Sequence, residues 1–286
     1  MRLCRFNDNR LGLVMEDGIR DVTAALDVLP AVRWPLPPGD LMIANLKPLR
    51  ARIEEIADAA PAVEEAGITL RSPVANPGKI IAAPLNYALH VEEARADAGI
   101  HYGSQVKTID HYGVFLKATS SLVGCGEGVV VDRPERRIDH EVELAVAIGP
   151  GGRDIAEADA MAHVAGYAVG LDMSVRGTED RSYRKSLDSF TVLGPHLATR
   201  DEIADPGALD LGLCVNGETR QASNTRHLIF SIPRLIAYAS AAYTLDPGDV
   251  ILTGTPEGVG PVHPGDEMSA WVEEVGSMRV AVRGER

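Results

Sequence analysis

Residues 139–149 read Asp-His-Glu-Val-Glu-Leu-Ala-Val-Ala-Ile-Gly, and the fold turns on how they are placed. The second half is an apolar run closed by a glycine, the pattern of a strand buried on both faces. The first half sets Glu141 and Glu143 at alternate positions. On a strand, side chains at i and i+2 leave from the same face, so the two carboxylates stand side by side. Burying two like charges that close is costly unless something compensates them. Two readings satisfy the pattern. In one, the strand is a sheet edge with both glutamates in water, and Val142 and Leu144 carry the burial. In the other, a divalent cation lies between the carboxylates and keeps both ionised.

An all-oxygen donor set suits Mg²⁺ or Mn²⁺, with Ca²⁺ as a third choice, ahead of zinc. A third oxygen ligand is then needed. Asp172 is the candidate, because it ends the apolar run Gly166-Tyr167-Ala168-Val169-Gly170-Leu171 where a strand opens onto a loop. The competing reading of Asp172 is an ordinary turn residue.

Working outward, the 286 residues are 45% hydrophobic and 24% charged, a globular composition with room for one large domain or a large and a small one. The net charge of −13 and the lack of a Lys/Arg-dense face exclude a nucleic-acid binder. An anionic substrate must therefore be drawn in by local positive charge. The opening Met1–Arg10 segment has no apolar signal-peptide core, and no apolar run is long enough to span a membrane. Cys4, Cys125 and Cys214 show no metal or redox spacing and are expected as free thiols. A cytoplasmic enzyme is the expectation.

Short strands are expected within residues 1–30, helix over 39–66, and a domain division in the breaker-rich segment Ser72–Gly78. This gives a small N-terminal α+β domain, 1–72, and a larger domain, 73–286. Lys79–Ala83 is expected as a strand and the segment carrying His90, Glu92, Glu93 and Arg95 as a helix. The polar segment 97–113 is expected as a loop over a site. Residues 154–164 are expected as a short helix capped by Asp154, and Ile232–Tyr238 as a helix with Pro233 in its first turn. Strands outnumber helices in the C-terminal two-thirds without βαβ alternation, so the fold class is a β-rich α+β.

His90 and Glu93, three apart, share a helix face. A carboxylate beside an imidazole orients it and raises its basicity, as a general base acting on water requires. The same spacing also fits an acidic helix surface with an incidental histidine. Arg184 and Lys185 are either a solvated basic loop or cations that hold a carboxylate or a developing enolate. The run Thr253–Gly260 after the strand Val250–Leu252 lacks the lysine of a phosphate loop. It can offer backbone N–H groups and a threonine hydroxyl to a small carboxylate.

Six segments occur in order: LNYALH (85–90) with Glu93 beyond it, FLKATSSLVG (115–124), DHEVELAVAIG (139–149), GYAVGLDMSVR (166–176), KSLDSFTVLGP (185–195) and GDVILTGTPEGVG (248–260). Together they resemble the fumarylacetoacetate hydrolase superfamily, and within it the bacterial two-domain branch of acylpyruvases, sugar-acid hydrolases and dienoate isomerases. The likeness runs from Lys79 to the C-terminus. It implies a mixed β-sandwich or β-roll catalytic domain, a homodimer, and Mg²⁺ or Mn²⁺ held by Glu141, Glu143 and Asp172. It further implies His90, Glu93 and Lys185 as catalytic residues, with Tyr87, Lys117, Arg176, Glu179 and Thr255 at the substrate. Three departures stand out. Ala83 occupies the place of a fourth, aspartate ligand, and Glu179 stands where a glutamine is usual. The run Ser174-Val175-Arg176-Gly177 lacks the aspartate that usually follows the arginine. The last two bear on specificity.

The resemblance implies hydrolysis of a carbon–carbon bond in a small anionic 2,4-dioxo acid. His90, oriented by Glu93, takes a proton from water. The hydroxide attacks C4, the C3–C4 bond breaks, and Lys185 stabilises charge or delivers a proton as pyruvate forms. Oxaloacetate decarboxylation, isomerisation of a 2-hydroxy-dienoate and hydration of a 2-oxo-alkenoate are the alternatives on the same residues. A metal-dependent binding protein without turnover is an alternative of another class.

Overall fold

The Val142–Ile148 strand is buried at every residue, and its neighbours explain why. It pairs antiparallel with Val164–Asp172 on one side and with Val250–Leu252 on the other, so it is an inner strand and not an edge. Its apolar side chains divide by parity. Val142, Leu144, Val146 and Ile148 join one core cluster, whereas Ala145 and Ala147 join another, as a period of two demands. Glu143, buried like its neighbours, shares the alanine face.

The structure, a computed structural model, describes residues 1–64, 66–133 and 135–284. Among these, a twelve-stranded sheet runs from Ala62–Val63 through Gly18–Asp21, Arg10–Met15, Arg2–Phe6, Thr191–Thr199 and Val164–Asp172 to Val142–Ile148, then Val250–Leu252, Ile80–Ala82 and Phe115–Lys117, with Leu70–Arg71 beside Arg2–Phe6 and Leu122–Gly124 beside Thr191–Thr199. A five-stranded sheet is ordered Glu218–Asn224, Asp210–Val215, Glu267–Val272, Gly276–Arg283, Val129–Val130. A three-stranded sheet joins Ser174–Val175, Ile138–His140 and Gly260–Pro261. All three are open paths, so the rolled arrangement is a sandwich and not a closed barrel. The main core lies between the two larger sheets, with Leu144 and Val146 from one and Leu211, Leu213, Met268 and Val280 from the other.

The N-terminal strands extend the large sheet, since Arg2 and Leu3 pair with Ala198 and Leu197. Leu3, Leu11, Leu49 and Ile53 share a cluster with Ala145, Ile80 and Leu252. The expected helices over 39–66 are Leu41–Ala44, capped by the Asp40 side chain, and Leu46–Ile56. Ile232–Ala242 is helical with Ser231 as its cap and proline in the first turn. Residues 154–164 differ from expectation: the helical run is a 3₁₀ stretch, Glu157–His163, with Ala156 in the cap position. Asp154 sits at φ +52° instead, its N–H held 3.0 Å from the Ser240 carbonyl, and a residue in that turn conformation cannot serve as the extended N-cap. Segment 97–113 contains two single helical turns, Ala98–His101 and Ile109–Tyr112.

Candidate metal centre

The register of two strands assembles the carboxylates. Val142 pairs with Leu171, so one step outward Glu141 stands opposite Asp172, and the Asp172 N–H donates to the Glu141 carbonyl at 2.9 Å. Residues opposite each other on antiparallel strands share a face. Glu141 also marks the break where the chain passes from the Ile138–His140 strand of the small sheet into the large one. Glu141, Glu143 and Asp172 each offer an oxygen within 4.8 Å of the others, and all three are buried. At that spacing each like-charge pair costs about 3–4 kcal/mol at an effective dielectric of about 20.

The surrounding side chains compensate two of the three. Lys185 Nζ donates to Glu141 Oε2 at 2.6 Å and to Asp172 Oδ2 at 2.8 Å. Lys117 Nζ, fully buried, donates to Asp172 Oδ1 and to the Phe190 carbonyl. Ser174 Oγ donates to Glu141 Oε1 at 2.9 Å. Arg176 Nε donates to Asp139 at 2.7 Å, and its Nη2 forms an ion pair with Glu141 at 3.0 Å without hydrogen-bond alignment. Asp139 is also held by Arg137, which reaches on to Asp97.

Glu143 is the exception. Its carboxylate accepts the Gly254 N–H at 2.6 Å and has no cationic side chain in an ion pair among the described residues. Burial, with Asp172 and Glu141 beside it, pushes its carboxyl well above the usual carboxylate range. Glu141 is also desolvated, yet Lys185 and Arg176 hold it well below that range. Three oxygen donors around one uncompensated buried carboxylate fit a hard divalent cation.

His90 lies on the Ala88–Ala96 helix, 4% exposed, with Nδ1 2.8 Å from Glu93 Oε2. Glu93 Oε1 accepts the Gly258 N–H at 2.9 Å. His90 and the three carboxylates line one cavity of about 480 Å³, together with Arg176, Glu179, Lys185 and Thr255. Ile100, His101, Ser104, Gln105, Val106 and Tyr112 form part of its wall, as expected for the 97–113 segment. A larger groove of about 1170 Å³ lies elsewhere, between the Leu46–Ile56 helix and the sheet. Its Arg50 and Asp201 neutralise each other at 2.6 Å, and it holds no carboxylate cluster.

The remaining expected site residues divide between that wall and positions off it. Tyr87 is off the cavity wall. It is 1% exposed, lines a separate cleft with Leu89 and Trp271, and its hydroxyl has no hydrogen-bond partner among the described residues. Lys117 lies beneath the site, against Asp172, instead of on its wall. Glu179 is tied to Arg136 at 2.9 and 3.0 Å. The Thr255 hydroxyl accepts from Gln221 Nε2 at 2.8 Å. The 253–260 loop directs two N–H groups inward at protein carboxylates, those of Gly254 and Gly258, instead of at a ligand.

Sequence reasoning left Asp139, Gln221 and Arg181 unassigned. Gln221 Oε1 accepts from the Val142 N–H at 3.0 Å and faces His140 Nδ1 at 3.1 Å, so one amide fixes the start of the Val142–Ile148 strand and the Thr255 hydroxyl. Nothing local marks it, since it comes from the distant Glu218–Asn224 strand. Arg181 had a signal: it lies four residues before Lys185, on the same helical face.

Comparison with known proteins agrees with the geometry. Residues 79–283 match the family described as "Fumarylacetoacetate (FAA) hydrolase C-terminal". Maleylpyruvate hydrolase of Aquipseudomonas alcaligenes is 54% identical over 285 residues, 99% of each chain. A mitochondrial oxaloacetate tautomerase of Rattus norvegicus is 39% identical over 233 residues, 77% of this chain and 71% of its own. The crystal structure of maleylpyruvate hydrolase from Sphingobium sp. SYK-6 in complex with manganese(II) ion and pyruvate has a TM-score of 0.84 at 41% identity, covering 100% of both chains. The chain belongs to the fumarylacetoacetate hydrolase family.

Proposed function

We propose that this protein is a divalent-metal-dependent hydrolase that cleaves the C3–C4 bond of maleylpyruvate, or a close 2,4-dioxo acid, to pyruvate and a carboxylic acid. The observation that carries the reading is His90 on the wall of the same cavity as the three carboxylates, with Glu93 2.8 Å from its Nδ1. The full-length similarity to a maleylpyruvate hydrolase supports the choice of substrate. A Mg²⁺ or Mn²⁺ at Glu141, Glu143 and Asp172 would supply the positive charge that holds the oxo acid and draws electrons from its carbonyl.

Glu93, fixed by the Gly258 N–H, accepts the Nδ1 proton of His90 and leaves Nε2 as the base. His90 takes a proton from water, and the oxygen adds to C4. The C3–C4 bond breaks, C3 leaves with the bonding pair and takes a proton, and C4 becomes the carboxylate of the released acid. The Lys185 ammonium has three N–H donors, two of them bound to Glu141 and Asp172. The third remains for charge developing on the substrate oxygen. The same reading places the enzyme in the cytoplasm as a homodimer.

The test is product analysis of the Mn²⁺-loaded protein with maleylpyruvate and, separately, with oxaloacetate. Pyruvate and maleate in equal amounts, lost on chelation, is the expected result. Interconversion of oxaloacetate tautomers or release of carbon dioxide, with maleylpyruvate untouched, would overturn the hydrolase in favour of chemistry that needs no water-activating base.

A further inference from the structure

The cavity wall carries three arginines, 176, 181 and 184, and two are committed. Arg176 pairs with Asp139 and Glu141. Arg184 donates to the carbonyls of Glu179 at 2.9 Å and Val175 at 3.0 Å, which braces the loop between them. Arg181 has neither an ion-pair partner nor a hydrogen-bond acceptor for its guanidinium among the described residues. The nearby Glu179 carboxylate is taken by Arg136.

Aromatic rings position Arg181 without neutralising it. Its guanidinium carbon lies 4.7 Å from the Tyr112 ring centroid and 5.5 Å from that of Phe115. Tyr112 is held in turn by its hydroxyl, which donates to the Gln105 carbonyl at 2.9 Å. Stacking of this kind orients the planar fork and leaves its N–H edges free for a carboxylate. Lys185 Nζ, 5.8 Å from the Phe115 centroid, flanks the same ring. Arg181 and Lys185 are four residues apart, about 6 Å of helix rise, a span on the scale of a four-carbon acyl chain. One end of that span is the carboxylate cluster that Lys185 touches, and the other is an unpaired cation.

We propose that Arg181 receives the distal carboxylate of a dicarboxylic acylpyruvate and makes this enzyme selective for such substrates over those with a neutral acyl group. The proposal rests on the hydrolase reading for which end of the substrate lies at the carboxylate cluster. It adds a specificity residue that the Glu179 and Gly177 departures do not supply.

The test compares two ligands that cannot be hydrolysed at C4 and differ only in the distal group, 2-oxoheptanedioate and 2-oxoheptanoate. Binding to the Mn²⁺-loaded protein is measured by calorimetry. The wild type should favour the dicarboxylate by about 10- to 100-fold, the worth of a charge-assisted pair. Arg181→Met should bring that ratio to within about threefold, and Arg181→Lys should retain part of it. Because both ligands are measured on each variant, a general loss of folded protein scales both and leaves the ratio intact. A wild-type ratio near one, or a ratio unchanged in Arg181→Met, overturns the proposal. Failure of wild-type protein to release pyruvate from maleylpyruvate, with the binding ratio standing, overturns the hydrolase reading alone.

Discussion

Glu143 is a buried acid on the cavity wall and Glu93 a half-buried one against His90, and they have opposite reasons to be there. Glu143 bears a desolvation cost, with Asp172 and Glu141 adding to it, that Lys185 and the Gly254 N–H offset only in part. Replacing it with glutamine keeps the shape and the acceptor for Gly254 while removing the charge. Glu143→Gln should therefore leave the metal-free protein as stable or more stable, and should abolish most of the Mn²⁺-dependent rise in melting temperature, read by calorimetric scans with and without metal. On the proposed mechanism Glu93 instead acts through His90. Glu93→Gln should lower kcat by about 10²–10⁴-fold with Mn²⁺ affinity nearly unchanged; full activity in this variant would remove the general base from the mechanism. The carboxylate cluster was only partly legible: a strand period of two put Glu141 and Glu143 on one face, but an exposed edge strand fitted the same spacing, and the ordered motifs chose between the two. Tyr87 and Lys117 show where that reasoning ends. Both lie in motifs of the site, yet which side of a wall a side chain occupies depends on packing against remote elements, such as Phe190 for Lys117.

At the scale of elements, the loop Thr253–Gly260 controls two functions through two glycines. The Gly254 N–H holds the candidate metal ligand Glu143, and the Gly258 N–H holds Glu93. Both have positive φ, +102° and +90°, and a Cβ would lie 2.7 Å from Asn86 Cβ at the first and 2.1 Å from the Arg220 carbonyl at the second. Alanine at either site must move the loop. Gly254→Ala should weaken Mn²⁺ binding by about 10- to 100-fold, as loss of a ligand's support does. Gly258→Ala should instead lower kcat with smaller change in metal affinity. Titration calorimetry and steady-state rates on the pair check the division, and equal effects on both readouts would refute it. From sequence this loop had the glycine pattern of an anion cradle, and that much was readable. Its anions turned out to be the protein's own side chains, which no local pattern reveals because Glu93 and Glu143 come from a distant helix and strand.

At the scale of the molecule, the contacts least visible in the sequence are those that join segments far apart in the chain. Period and breakers identify strands one by one, but the pairing of Arg2–Phe6 with Thr191–Thr199 spans nearly 200 residues and has no local signature. His196 on that inner strand tests how firmly the two large sheets are joined. Its Nε2 lies 2.7 Å from the carbonyl of Val275, beside the Glu267–Val272 and Gly276–Arg283 hairpin of the five-stranded sheet. The ring is 7% exposed, and burial lowers its pKa from 6.5. The Val275 carbonyl and Glu202 oppose that shift, and Arg2 adds to it. A depressed folded-state pKa means that the unfolded chain takes up the proton first. The contribution of His196 is therefore fully present above pH 6.5 and is lost as pH falls below it toward the lower folded-state value. The slope for one proton is at most about 1.4 kcal/mol per pH unit. His196→Gln keeps an N–H donor for Val275 and cannot titrate. Between pH 7.5 and 5.5, on this argument, the wild-type melting temperature should fall more than that of the variant. Parallel curves would mean that the proton reaches the buried ring without separating the sheets, and that their junction is looser than the packing around Gly276 indicates.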